Sequence, residues 1–198
     1  MNKIDRNKID KPECLVEKAE KWTKDLIDKR QSKPDYWNWH QFKNKKVENL
    51  LTVDLTEITN YRCSYCDIRP VRKGALKPSI DHFKPKSDFP ELAYEWTNLF
   101  LSCYQCQEYK GGSYPYVEPL KPDSCHYHFD YWFEIKWETY EILPNSLRDE
   151  DEQKRAEETI KWLGLNRDSR PISRGEIVEQ FNGGNYDDWS YKFMLERK

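Results

Sequence analysis

The stretches Cys63-Ser-Tyr-Cys66, Ser79-Ile-Asp-His-Phe-Lys-Pro-Lys86, Trp96-Thr-Asn-Leu99 and Cys103-Tyr-Gln-Cys-Gln-Glu-Tyr-Lys110 decide the fold of this chain. Two Cys-x-x-Cys pairs bracket an Asp-His pair and an Asn. A Cys-x-x-Cys turn sets two thiolates on one side of a metal, and two such turns supply the soft ligands of a tetrahedral structural zinc site. The loop between Cys66 and Cys103 is longer than a zinc ribbon usually holds, so it carries content of its own. Two disulfides, or cysteines unrelated to one another, are the competing readings. The shared spacing, and the lack of a secretion signal ahead of it, favour the metal.

That content is the run Ser79–Phe83, which alternates like a strand and carries Asp81 and His82. On a strand the two side chains point to opposite faces; at a strand end, twist and the following loop can turn both toward one site. The carboxylate is a hard ligand for Mg²⁺ or a similar ion, and a neutral imidazole takes a proton from water near neutral pH. A lone Asp-His pair is more often structural. Its place between two knuckles, with Asn98 behind it, gives it weight. Arg69, Arg72, Lys73 and Lys77 precede the pair, and Lys84 and Lys86 follow it, a basic approach suited to a phosphate backbone. The spacing predicts strands over Ile80–Phe83 and Asn98–Ser102 and a helix from near Cys103. That is a β-β-α order, with a helical turn in the connector at Pro90–Tyr94.

At these residues the chain resembles the HNH endonuclease family, the zinc-knuckle branch of the ββα-metal nucleases. The resemblance implies an α+β fold with a ββα-metal core, and a structural zinc on Cys63, Cys66, Cys103 and Cys106. It implies His82 as general base, Asp81 as ligand of a catalytic Mg²⁺ or Mn²⁺, and Asn98 as the residue that holds the loop or assists the metal. The third motif position, His or Asn in the family, falls on Gln107, whose amide is longer and more mobile. Lys110 and Gly111 continue the pattern. Lys84, Lys86, Lys110, Arg72 and Lys73 are the expected nucleic-acid contacts. A narrower similarity, to the PtuB-type nucleases of bacterial Septu and retron anti-phage systems, runs through Met1–Arg6, Pro12–Leu15, Ile80–Ser87, Pro90–Trp96 and Thr159–Asn166. It implies an ABC-type ATPase partner like PtuA, in retron systems also a reverse transcriptase with its msDNA, and a bacterial cytoplasmic setting.

Composition agrees with one domain. The chain has 198 residues, 37% of them hydrophobic, with 8 Trp and 13 Tyr, so aromatic rings should supply much of the core. Its net charge of −2 is low for a protein that holds nucleic acid unaided, which points to local basic patches or to a partner that supplies the groove. No stretch is long and apolar enough to span a membrane. The organisation expected is an N-terminal arm and helices over 1–60, the nuclease core over 61–112, and a C-terminal hairpin and helices over 113–198 packed on the core.

The flanks carry expectations of their own. Asp10 should cap a helix with Pro12 in its first turn, and Leu15, Val16, Ala19, Trp22, Thr23, Leu26 and Ile27 on one face, ended by Pro34. Tyr36–His40 with Lys43, Lys45 and Lys46 reads either as a base-stacking platform or as core rings beside a charged turn. Val47, Leu50, Leu51, Leu55 and Ile58 should form the helix that leads to the first knuckle. Cys125-His-Tyr-His128 resembles a ligand cluster, but no partner spacing supports a second zinc site; His128 lining the nuclease site is the sharper alternative for that residue. Phe129–Ile142 reads as a hairpin with Tyr131, Phe133, Ile135 and Trp137 on one face. Asp149–Glu152 suits a helix start, Gly164 its stop, and a last helix opens near Ser169–Pro171. The tail Trp189–Leu195 either packs back or docks a partner. Three functional readings follow: an HNH nuclease; a zinc-stabilised binding subunit without catalysis; or the same enzyme acting on RNA such as tRNA, since attack by water needs no 2′-hydroxyl.

Overall fold

A computed structural model describes residues 1, 3–70 and 78–198. The first helix, α1, runs Glu13–Arg30. Asp10 is not its cap: Pro12 holds that position, with no side-chain cap hydrogen bond, and Asp10 is exposed. Cys14, Leu15, Trp22 and Leu26 turn inward. Val16 and Ile27 are exposed, so the apolar stripe is narrower than the sequence pattern suggests.

Two short strands, β1 (Gln41–Phe42) and β2 (Lys45–Lys46), pair around Lys43 and Asn44, both in left-handed backbone conformation. Helix α2 (Val47–Ile58) follows directly and buries Val47, Leu51, Leu55 and Ile58. Asn60 and Tyr61, also left-handed, turn the chain into the first cysteine pair.

Strands β3 (Ser79–His82) and β4 (Leu99–Ser102) pair antiparallel, with Asp81 opposite Phe100 and His82 opposite Leu99. Helix α3 (Tyr104–Lys110) starts two residues later, which completes the β-β-α order. Helix α2 packs on β3 and β4 from one side, and α3 contacts β3. Every side chain of β4 is buried. Strands this short cannot be held by their ladder alone, so the hairpin depends on the two helices for its apolar cover. The connector holds the expected turn at Pro90–Leu92, which packs on α1.

The C-terminal third differs in one respect from the sequence pattern. Phe129–Trp132 is a helical turn, α4, and the hairpin begins only at β5 (Phe133–Lys136), paired with β6 (Glu141–Pro144). Tyr131 and Trp137 are therefore not in a buried row with Phe133; each is 39% exposed. Helix α5 (Glu150–Trp162) is capped by Asp149, whose carboxylate accepts the Glu152 N–H at 2.9 Å. It ends before Gly164, where φ is +58° and an added Cβ would stand 2.7 Å from the Tyr109 ring, so the close approach of α3 requires glycine there. Helix α6 (Arg170–Gln180) buries Arg170, Arg174 and Val178. The last turn, α7 (Lys192–Leu195), buries Phe193, Met194 and Leu195, so the aromatic tail packs back onto its own chain. One continuous set of buried apolar side chains runs from Met1 to Leu195. Among the described residues no helix is long and apolar enough to cross a membrane.

Candidate active site and metal centre

The cysteine cluster sits where the turn before β3, the end of β4 and the start of α3 meet. Cys63, Cys66, Cys103 and Cys106 are all buried, and their sulfurs lie within 4.8 Å of one another. Cys66 Sγ and Cys103 Sγ are 3.7 Å apart, close to the edge of about 3.8 Å of a tetrahedron built on a Zn–S bond of about 2.3 Å. All six cysteines of the chain are free, which sets aside the disulfide reading. The backbone pins the cluster: Ser64 N–H donates to Leu101 O and Cys103 N–H to Cys63 Sγ.

Crowded sulfurs cannot each shed a proton unaided. Cys63 is held well below the ordinary thiol range, because the hydrogen bonds from Cys103, Cys106 and Cys66 outweigh its burial. Cys106 is pushed well above that range by burial and by the same neighbours. A divalent soft-metal ion removes that conflict by making all of them thiolates, so the donor set fits the metal. Arg170 adds a charge from α6, its guanidinium donating to Cys106 Sγ at 3.1 Å and to the Leu163 and Gly164 carbonyls. Sequence reading missed this residue, because nothing in a helical Arg announces a sulfur partner on another element.

Beside the cluster opens a cleft of about 450 Å³ whose lining includes Arg30, Asp81, His82, Lys86, Gln107 and Lys110. Asp81 and His82, successive on β3, both reach it because His82 is the last residue of the strand. His82 Nε2 lies 2.9 Å from the Ala93 carbonyl. A carbonyl only accepts, so Nε2 carries the proton and the Nδ1 lone pair is left as the basic position. Trp37 meets the imidazole edge-on at 5.1 Å and Trp39 stacks on it at 5.9 Å. From the aromatic run Tyr36–His40, Trp37 and Trp39 thus stand against the histidine, Trp37 also lines the cleft, and His40 stacks on Trp22 instead. Burial, with the charges of Lys86, Lys110 and Arg30, lowers the His82 pKa to about 3, so the ring is neutral at physiological pH.

Asp81 is buried and fully engaged. Its Oδ2 accepts the Tyr65 hydroxyl at 2.6 Å and Lys110 Nζ at 2.9 Å, and its Oδ1 accepts Lys110 Nζ at 3.1 Å. Lys110 also donates to the His82 carbonyl. Burial raises the Asp81 pKa, and Lys110 and Tyr65 pull it back. Tyr65 lies inside the first knuckle, where it reads as spacer, and only the fold shows its hydroxyl on the carboxylate.

Asn98 stands outside the cleft lining. Its Oδ1 accepts the Lys84 N–H at 2.8 Å, and its Nδ2 donates to the Lys84 and Leu92 carbonyls at 3.0 and 3.1 Å. It ties the two ends of the connector together. Gln107 lines the cleft, is exposed, and accepts the Ser79 hydroxyl at 2.8 Å.

The basic residues separate into three situations. Lys86 is half-buried, lines the cleft and stands 5.1 Å over the Trp37 ring. Lys110 is buried on Asp81, and Lys84 is paired with Glu118 at 3.2 Å away from the cleft lining. Arg72 and Lys73 lie outside the described residues. Arg30, at the end of α1, joins the cleft unannounced; its Nε donates to the Tyr36 carbonyl at 3.0 Å and its Nη1 to that of Lys86. His126 and His128 do not line this cleft. His128 caps α4, and neither belongs to a metal-ligand group among the described residues.

Comparison with known proteins agrees with this geometry. Residues 63–112 match the family model described as HNH endonuclease. The chain is 35% identical over 66 residues to "Septu protein PtuB" of Bacillus thuringiensis, which covers 33% of this chain and 25% of that protein. It is 25% identical over 151 residues to "Retron Vc95 putative HNH endonuclease" of Vibrio cholerae serotype O1 biovar El Tor, which covers 71% of this chain and 68% of that protein. The first of these matches thus spans only a quarter of its relative's length. Within the span that matches the HNH endonuclease model, Cys103 and Cys106 of the cluster and Asp81 and His82 of the cleft are carried by β3, β4 and α3 or their immediate ends.

Proposed function

We propose that this chain, with its HNH core, hydrolyses nucleic-acid phosphodiester bonds and serves as the nuclease of a Septu- or retron-type defence complex with an ABC-type ATPase. The observation that carries the reading is the state of His82. It is neutral, its Nε2 proton is committed to the Ala93 carbonyl, and it shares a cleft with Asp35 and Asp81 and with Arg30, Lys86 and Lys110. One relative is named as a Septu protein and another as a retron putative HNH endonuclease, which supports the defence role. The cysteine cluster is the structural zinc site, and it fixes the start of α3 against β3 and β4.

In this reading Nδ1 of His82 takes a proton from water as the water oxygen bonds to phosphorus and the bond to the 3′ oxygen breaks. Solvent returns a proton to the leaving oxygen. Ala93 keeps the imidazole in the tautomer that can act, and Trp37 and Trp39 keep it in one orientation. Lys86 and Arg30 attract and hold the phosphate backbone. Asp81 and the Gln107 amide would hold a Mg²⁺ or Mn²⁺ ion, which would supply positive charge to the phosphate oxygens. Asn98 acts at a distance, by keeping Lys84 and Leu92 together.

The test is cleavage of labelled DNA and of total RNA by the purified chain in Mg²⁺ or Mn²⁺, with and without a co-expressed ATPase partner, beside His82→Ala. Cleavage should require His82, and the pool that disappears names the substrate. Cutting retained by a clean His82→Ala preparation defeats the mechanism. A binding subunit without catalysis is the second reading, favoured by the commitment of Asp81 to Lys110 and Tyr65. Zinc binding and a native fold with no cleavage in any arm would select it.

A further inference from the structure

We propose that Lys110 is a positioning residue of the divalent-ion site: its ammonium holds the Asp81 carboxylate in place and offsets its charge, so that the free chain takes Mg²⁺ or Mn²⁺ weakly and the ion enters with the anionic substrate. The inference rests on the reading of Asp81 as the ion's carboxylate ligand.

Lys110 and Asp81 form a buried pair, with side chains 2% and 7% exposed. The ammonium contacts both carboxylate oxygens and the His82 carbonyl, and it stands 5.1 Å from the centre of the Trp162 ring. Such a cation cannot swing out to solvent, because leaving would abandon a buried carboxylate. Tyr65 meanwhile fixes the carboxylate from the other side with its hydroxyl. Asp81 is therefore rigid before any ion arrives, and its charge is already answered.

The rest of the cleft repeats the sign. Arg30, Lys86 and Lys110 line it against Asp35 and Asp81, so the lining carries an excess of positive charge. Gln107 contributes an uncharged amide. A divalent cation entering alone meets no net attraction. A phosphate group reverses that balance, and by linkage each of the two tightens the binding of the other. Oxygen-ligand ions keep several waters and complete their shells with substrate phosphate, which fits a site offering one compensated carboxylate. The soft thiolates next door take zinc and leave this oxygen site to Mg²⁺ or Mn²⁺.

The experiment measures Mn²⁺ binding by electron paramagnetic resonance on the full, zinc-loaded chain. The wild type is compared with Lys110→Met, which keeps much of the stem volume and removes the charge, and Lys110→Arg, which keeps the charge. Asp81→Asn is made in each background to confirm that the signal comes from Asp81. Zinc content and circular dichroism certify the fold. Lys110→Met should bind Mn²⁺ at least about tenfold more tightly than the wild type, the scale of one charge placed against a carboxylate, and Lys110→Arg should stay weak. A phosphorothioate oligonucleotide, at concentrations where anisotropy shows it bound, should tighten Mn²⁺ on the wild type and do so less on Lys110→Met. Unchanged affinity in a folded Lys110→Met, equal tightening by the Arg variant, or no effect of bound oligonucleotide overturns the proposal. Because the free chain is measured without turnover, this pattern in a chain that cleaves nothing would sink the nuclease reading and leave the role of Lys110 standing.

Discussion

Replacing Asn98 by alanine should destabilise the chain by about 3 kcal/mol without touching the metal sites. Asn98 is 4% exposed and makes three hydrogen bonds, all to backbone: Lys84 N–H, Lys84 C=O and Leu92 C=O. Each is part-buried and worth about 1 kcal/mol net, so the sum sits near 3 kcal/mol. A change of that size lowers the urea midpoint by roughly 1 M for a slope of about 3 kcal/mol per molar. Asn98→Asp is the sharper variant. It exchanges the donating Nδ2 for an oxygen that faces two carbonyls, so it should cost more than alanine although it is nearly isosteric. The assay is urea unfolding in zinc-containing buffer, followed by tryptophan fluorescence, with zinc content and Mn²⁺ affinity measured on the folded variants. Asn98 lines no part of the cleft, so both should match the wild type. An alanine variant within about 0.5 kcal/mol of wild type, or an Asp variant as stable as the native chain, would refute Asn98 as the lock of the connector. Lost Mn²⁺ affinity in a folded variant would make it a metal-assisting residue instead.

Two further outcomes are expected. Arg170→Met removes the guanidinium that donates to Cys106 Sγ, so zinc should pass to a chromogenic chelator about tenfold faster or more; an unchanged rate would deny Arg170 any hold on the cluster. His82 is kept neutral in the fold, with its pKa lowered to about 3, whereas in the unfolded chain it titrates near 6.5. Below about pH 6.5 the unfolded state therefore binds the extra proton. The stability this group provides is whole above that pH and is lost progressively as pH falls toward about 3, by up to about 1.4 kcal/mol per pH unit. Wild type should lose stability relative to His82→Gln between pH 6 and pH 5, read by urea titration at each pH; parallel curves would mean that the ring protonates freely in the fold.

Some of this protein could be read before its fold was known, for reasons that lie in short-range geometry. A Cys-x-x-Cys turn can only set its sulfurs on one side, so two turns of equal spacing announce a cluster, and the cluster forms. The alternation at Ser79–Phe83 and the run Asn98–Ser102 announce two strands, and β3 (Ser79–His82) and β4 (Leu99–Ser102) fall on them to within a residue. Asp149 is a cap because its carboxylate needs only its own helix. The failures have the same origin. Asp10 is the capping residue type ahead of α1, yet the chain enters the helix through Pro12; a local capping preference is worth only about 1 kcal/mol, and the arm before it is tied down by the buried Met1 and Ile4. Tyr131 alternates with Phe133, yet a helical turn breaks the row, because a pattern of period two in so short a segment also fits a turn that leads into a strand.

What the sequence by itself determined is therefore local: the four cysteines of the cluster, the order of strand, strand and helix, and the Asp-His pair between the knuckles. Only the tertiary structure decided what those groups experience. Lys110 is separated from Asp81 by 28 residues, Arg170 from Cys106 by 63, and Ala93 from His82 by 10, and these contacts set the charge, tautomer and rigidity of the site. The physical reason is that coordination and strand pairing select residue types at fixed spacings. Desolvation and charge depend on everything within a few ångströms, and the chain brings those groups together from elements that carry no mutual pattern.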